Sequence, residues 1–466
     1  MQIPILKGTY ATTDGNYRTA YPRNNIPVPK ENGVSNGQFR PSPGLVEFAT
    51  GPGLVRGGIN WKGSLYRVMG SKLVHIDRAG VVTEIGDVGP DGPVTMVYSF
   101  DHLAIASDKK LFLYNGKRLE QVTDEDLGDV LNVIWIDGYF LTTDGDALVV
   151  GELNDPFDIN VLRYGSSEIN PDPVVGVIKH SNEAYAVNRY SIEVFNNVGG
   201  TGFPFRRIEG AAIERGAVGT QAFTVFENSI AFLGSALNEE VAVWRGVSGQ
   251  DIKISTQEID EIIAEYSEEE LASTVVETRL TRNHRNLYIH LPDQTLVHDA
   301  AATQKLGMPI WYTLDSGLIE KEQYRARHFV FCYDKWTCGD TKAARVGVLT
   351  DDVSDHYGDA IRWDVQTSIV FNDARGFIIH EMELTSLTGR VAVGKSPVVF
   401  ASHSEDGVLY SQGRPKKVGG SGARGKRIRW AKMGYSEATR LMRFHGTSDG
   451  HIGIARLDVV IEGCAY

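Results

Sequence analysis

The sequence predicts a mainly β protein: a β-propeller of seven blades, with six as the near alternative, set between an N-terminal extended arm and a C-terminal β-sandwich. Three observations carry this reading. Glycine supplies 50 of 466 residues against 17 prolines, with no Gly-X-Y period, so the chain is rich in tight turns rather than collagen-like. From Val55 onward, short runs of β-branched and aromatic residues alternate with Gly, Asp or Asn turns, the pattern of serial antiparallel strands. Groups of such runs open near Val55, Val94, Val133, Val174, Ala222, Val275 and His328, at spacings of 39, 39, 41, 48, 53 and 53 residues. Four-stranded blades recur every ~40 to 50 residues, each burying its faces against its neighbours. No fixed-letter signature such as Trp-Asp repeats between groups, so a row of unrelated sandwiches is the competing architecture.

Taken in order, residues 1–54 hold Asp14-Gly15, Pro22, Pro27, Pro29, Pro41, Pro43 and Gly44 without a sustained hydrophobic period, and read as the arm. Residues 55–353 are the propeller. Its first two blades are plain in runs such as 64–69 (SLYRVM), 72–76 (KLVHI), 102–106 and 110–114. One stretch, 256–276, breaks the pattern. Ser255 and Glu258 pair as a capping box, and Ile259, Ile262, Ile263 and Tyr266 recur at helical spacing, which predicts an amphipathic helix over 256–266. Ser267 and Glu270 repeat the cap and start a second helical segment through about Val276. Glu258, Glu261, Glu265, Glu268 and Glu269 make its outer face acidic, as a solvated surface or as a docking face for a basic partner. Residues 354–466 form the sandwich, with longer strands and hairpin turns at Asp406-Gly407 and Asp449-Gly450.

The formal charge is -12, which excludes wholesale coating of nucleic acid. Yet residues 414–446 hold ten basic residues and one acid, Glu437. Lys416, Lys417, Arg424, Lys426, Arg427, Arg429 and Lys432 are the candidate contact residues of this basic segment. Strand alternation puts Ile428 and Trp430 on one face and Arg427 and Arg429 on the other. Phosphate contact with DNA, pairing with the acidic surface of an identical neighbour, and a solvated loop all fit; the lack of regular aromatic interleaving counts against a single-strand groove. Sequence-specific reading of DNA is not expected.

No metal, cofactor or catalytic constellation is expected. His328, Cys332 and Cys338 lack a paired-cysteine spacing for zinc, and Asp124, Glu125, Asp126 and Asp129 lack the glycine and closing glutamate of a calcium loop. His290 and His298 bracket Asp293 in a hairpin without an activated nucleophile. The glycine-rich stretch 199–202 has no following Lys-Ser/Thr. Three cysteines suit reduced thiols rather than a disulfide framework. The start MQIPILKGTY has no secretory pattern, and no run approaches the ~18 apolar residues of a membrane span.

Residues 266–280 (YSEEELASTVVETRL), 287–304 (LYIHLPDQTLVHDAAATQ) and 337–349 (TCGDTKAARVGVL) resemble the packaged-DNA stabilisation proteins of short-tailed, podovirus-type bacteriophages, their tail hub or nozzle subunits. The likeness continues through 40–45 (RPSPGL), 372–389 (NDARGFIIHEMELTSLTG) and 461–464, so it runs in order along most of the chain. It thins over the first 40 residues and over 414–425. The resemblance implies a non-enzymatic virion protein assembled in the host cytoplasm as a ring of six. The ring would lie beneath the portal and its adaptor, extend the DNA channel, and meet a tail needle and tailspikes or fibres. A propeller hydrolase acting on surface polysaccharide is the alternative from another class, and a monomeric binding module the third.

Overall fold

In the computed structural model, the described residues are 2–3, 5, 21–30, 35, 37–153, 155–281, 283–372, 375–450 and 452–464, without the side chain of residue 161. Among them, seven antiparallel sheets, five of four strands and two of five, follow one another as blades. Their innermost strands open at Val55, Thr95, Asn132, Val174, Phe223, Val275 and Ala326, each within two residues of the start that the spacing predicts. The register is set by period-2 alternation and tight turns: in blade 1, Val55–Trp61, Ser64–Met69, Lys72–Ile76 and Val82–Asp87 pair in succession. Lys62 and Gly63, both at positive φ, turn the first hairpin. In blade 5 the sheet carries an extra short strand, Gly216–Ala217, beside Ser229–Ser235. Gly234 is required there, because a Cβ would stand 1.7 Å from the Gly216 carbonyl oxygen.

The seventh blade is completed from the other end of the chain. Ala326–Cys332, Lys335–Asp340 and Arg345–Thr350 take Gly44–Thr50 as their outermost strand, so the strand that closes the ring lies inside the segment read from sequence as arm. Other described parts of that segment join the sandwich. Gln2–Ile3 pairs with Gly453–Gly463, and the hairpin Asn25–Val28/Gln38–Pro41 reaches the same strand through Phe39 and Ile454. The remainder of residues 1–20 and 31–36 lies outside the described residues.

The sandwich stacks a sheet built on Phe377–Leu387, Ile428–Ser436 and Gly453–Gly463 against one built on Arg362–Gln366, Val398–Ser404, Arg414–Lys417 and Thr439–Thr447. Trp430, Phe377, Phe39 and Phe444 fill the space between. Burying each side chain of this size contributes about 1.5–3 kcal/mol.

Between blades 5 and 6, helix α1 (Gln257–Ala264) buries Ile259 and Ile263, and α2 (Glu268–Ala272) buries Leu271. The Ser267–Glu270 capping box forms. The Ser255–Glu258 box does not: Thr256 is the N-cap, and the Ser255 hydroxyl turns to Asp260 Oδ1 at 2.5 Å. The second helix also stops earlier than expected. Val275 begins a strand, and the Val276 N–H donates to Gln221 O at 2.8 Å, a position where β-branched valines favour the sheet. A third helix, α3 (Ala300–Leu306), is capped by Asp299 and ended by Gly307 at positive φ.

Candidate functional site

The basic segment occupies one corner of the sandwich. Arg414–Lys417 is an edge strand bonded on one side only, to Val398–Ser404, and all four of its residues are exposed. Pro415 suits such an edge, since it has no N–H to leave unpaired. Ile428–Ser436 is the edge of the facing sheet. The two edges are laced together: Trp430 Nε1 donates to Arg414 O at 2.9 Å, and Arg414 Nη2 donates to Ala431 O at 2.8 Å. The loop between them is pinned by buried Val418 and by Thr388 Oγ1 donating to Ala423 O at 2.7 Å.

Alternation along Ile428–Ser436 buries Ile428 and Trp430 and exposes Arg429, with Arg427 exposed just before it. These two arginines are not free charges. Arg427 Nε lies 2.6 Å from Glu383 Oε1, and Arg429 pairs with Glu381 and Glu383 on the adjacent strand. The Arg427 pairing holds the Glu383 carboxyl below the usual range. Arg440 and Arg443 point inward, to Met433 O and to Asp364. Lys416, Lys417, Arg424, Lys426 and Lys432 stand exposed outside these pairings. The outward positive surface is therefore mostly lysine, around a rim of arginines already matched within the chain.

The acidic insertion is less uniform than its sequence. Glu265, Glu268 and Glu269 are exposed, whereas Glu258 and Glu261 are half-buried. Glu258 Oε2 accepts a long hydrogen bond from Tyr21 Oη at 3.5 Å, and Glu261 accepts from Gln257 at 3.2 Å. Glu268 takes Arg189 Nη2 at 2.8 Å from blade 4. Glu265 and Glu269 are left as its outward charge.

Near the propeller axis, the first strands of blades 1 and 7, the segments entering blades 2 and 5, and the end of α2 line a cavity of about 490 Å³. Its floor is crossed by Gln221, whose Nε2 donates to Val94 O at 3.1 Å from blade 5 to blade 2. Among the described residues the only carboxylate on its wall is Asp340, which accepts from Arg325 at 3.0 and 2.6 Å and from Arg345 at 2.7 Å.

The other candidates resolve into local structure. His290 contacts Thr295 Oγ1 at 3.0 Å and Glu277 at 2.8 Å, while Asp293 is met by the Tyr266 hydroxyl. The hairpin thus keeps His290 and Asp293 on separate partners. His298 is buried against Trp311. Cys332 and Cys338 are buried thiols, and burial pushes Cys338 up to about 12. Asp124 Oδ1 accepts from the Asp126 N–H and its Oδ2 from Ile159, while Asp129 pairs with Lys109. Among the described residues no cluster of His, Cys, Asp or Glu is arranged to hold a metal, and no helix is long and apolar enough to cross a membrane.

Sequence reasoning missed the axial cavity, whose walls come from chain positions hundreds of residues apart. It also missed the Glu381 and Glu383 partners of the basic strand. A signal for the latter was present: the alternate glutamates Glu381 and Glu383 in HEMEL, which place both carboxylates on one face of their strand.

Fold and surface together define a two-domain propeller–sandwich protein carrying opposite charges on its two domains. The family model described as Bacteriophage P22 Gp10, beta-propeller matches residues 1–354, and that described as Bacteriophage P22 Gp10, beta-sandwich matches 362–462. The chain belongs to this bacteriophage family. It is 29% identical over 462 residues, 93% of each chain, to the tail hub protein gp10 of Salmonella phage P22. Among solved structures it is similar to the computationally designed Ika8 protein, with TM-score 0.38 and 12% identity over 66% of this chain and 99% of that one. The Neurospora crassa Pan2 WD40 domain overlaps with TM-score 0.40 and 10% identity over 66% of this chain and 95% of that one. Overlaps of that size carry no functional argument.

Proposed function

We propose that the chain is the wall subunit of a phage tail hub: six copies form a ring below the portal and its adaptor, extend the DNA conduit, seat a tail needle and tailspikes or fibres, and retain the packaged genome until ejection. The observation that carries this reading is the match to a tail hub protein across 93% of both chains, through propeller and sandwich in the same order.

The charge layout supports it. A head-to-tail ring needs two different complementary patches on each copy, and the lysine edge at Lys416, Lys417, Lys426 and Lys432 complements the acidic insertion at Glu265 and Glu269 of a neighbour. The path of the DNA lies between subunits, because Gln221 spans the propeller axis. Outside residues 414–446 the formal charge is -21 (that is, -12 less +9), so conduit walls drawn from the body repel phosphate within a screening length of ~8 Å and let DNA slide.

The test uses Lys416→Glu/Lys417→Glu, at positions outside every internal pairing described above. The variant is expected to show the wild-type unfolding transition while failing to form rings on adaptor–portal assemblies, as read by native mass spectrometry. Normal ring formation would remove these lysines from the interface. Absence of the wild-type protein from purified infectious particles would overturn the hub reading itself.

A further inference from the structure

The cavity at the propeller axis presents a guanidinium with an unpaired nitrogen. Arg327 and Thr341 both line it, and Arg327 Nε and Thr341 Oγ1 are buried without a hydrogen-bond partner among the described residues. Buried polar atoms are almost always paired, and a guanidinium taken out of water is costly unless matched. Burial depresses the Arg327 pKa, with only the charge of Glu277 working against it.

The rest of the wall leaves Arg327 available to a guest. Arg56, the second guanidinium there, is already committed to backbone carbonyls: Gly89 O at 2.7 Å, Gly70 O at 2.9 Å and Gly92 O at 2.9 Å. It contributes positive field without needing a partner from the cavity. Asp340 is taken by Arg325 and Arg345, and Glu277, whose charge reaches Arg327, is hydrogen-bonded to the His328 and Phe329 N–H groups and to His290 rather than to the guanidinium.

The backbone that presents Arg327 is held in a costly conformation by several independent bonds. The strand bulges between Arg327 and Val330, with His328 at φ 58°. Glu277 from blade 6 accepts the N–H groups of His328 and Phe329 at 2.9 and 2.6 Å. Arg67 from blade 1 donates to His328 O at 2.5 Å and to Thr337 Oγ1 at 2.7 Å. Strained backbone of this kind persists only where its surroundings over-determine it, and it clusters at ligand sites. A preformed concave pocket with a few convergent polar groups is the ordinary form of a small-molecule site.

We propose that the axial cavity binds a small oxyanion, a carboxylate or phosphate group, on the guanidinium of Arg327 with the Thr341 hydroxyl as second contact. The inference is independent of the hub reading.

Isothermal titration of the full chain with inorganic phosphate, and separately with citrate, tests it. One saturable binding event per chain is expected with at least one of the two anions; which one responds distinguishes phosphate from carboxylate chemistry. Arg327→Met is expected to weaken that binding by tenfold or more, and Thr341→Val by a smaller factor. Arg327→Lys keeps the charge but loses the planar fork, so it serves if the methionine variant misfolds, with weakened binding again expected. No binding of either anion, or undiminished binding in folded Arg327→Met or Arg327→Lys, would overturn the proposal.

Discussion

Arg23 ties the two domains together through Asp315. Its Nη2 lies 2.7 Å from Asp315 Oδ1, just past the last strand of blade 6, while its backbone N–H donates to Asp364 O of the sandwich at 2.9 Å. The neighbouring residue does the same on both sides: Asn24 Nδ2 donates to Arg362 O at 2.7 Å and Asn24 Oδ1 accepts from the Asp315 N–H at 3.1 Å. A two-residue stretch of the arm is thereby a strip of sheet between propeller and sandwich.

Removing the arginine isolates a buried carboxylate. The Asp315 side chain is 1% exposed, and burial already raises its pKa against the opposing pull of Arg23. Breaking a buried pair by deleting one partner costs about 3–5 kcal/mol. Arg23→Ala is expected to lower the unfolding free energy by that amount, to lower the calorimetric midpoint, and to split one transition into two as the domains uncouple. A single transition with unchanged midpoint would show that the junction is held elsewhere.

Glu277 holds blade 6 to the bulge in blade 7. Burial alone would raise its pKa, but the hydrogen bond and charge of His290, with the Phe329 N–H, bring it below the usual carboxylate range. Glu277→Ala leaves two N–H groups and His290 without their acceptor, each unsatisfied group costing about 1–3 kcal/mol. Chemical denaturation is expected to show a loss of roughly 3 kcal/mol; a change below about 1 kcal/mol would mean the bulge stands without it.

Acid sensitivity follows from histidines buried neutral. Burial pushes His298 down to about 4 and His356 to about 3. Because the folded pKa lies below the unfolded value of ~6.5, the unfolded chain binds these protons first. The contribution is complete above pH 6.5 and is lost as pH falls toward 4, at about 1.4 kcal/mol per pH unit for each group. The denaturation midpoint is expected to be flat from pH 8 to 7 and to fall steeply below 6.5, with a shallower fall in His298→Asn. A midpoint constant down to pH 4.5 would contradict this.

The blade starts were legible because alternation and turn residues are local: Val174, followed by a strand and the Ser181–Asn182 turn at positive φ, announces its blade within ten residues. Gly44–Thr50 was not, since its partner Arg345–Thr350 lies some 300 positions away and nothing nearby marks it as a closing strand. Ile428 and Trp430 were read correctly as the inward face. The neutralisation of Arg427 and Arg429 was hidden, because it depends on which strand aligns beside them, and the register Glu383↔Arg429 is a tertiary choice. Likewise Arg56, Gln221 and Arg327 carry no common pattern until ring closure brings three distant blades to one axis.

That closure has a consequence for how the molecule is made. The edge that Gly44–Thr50 covers is synthesised some 300 residues after it, and the sandwich likewise waits for Gly453–Gly463 to receive Gln2–Ile3 and Phe39. During translation, Asn25–Val28 and Gln38–Pro41 can pair at once, whereas Gly44–Thr50 waits for a mate made some 300 residues later. Starting the chain at residue 55 would strip blade 7 of its outermost strand and the sandwich of Gln2–Ile3 and Phe39, so one segment serves to finish both domains.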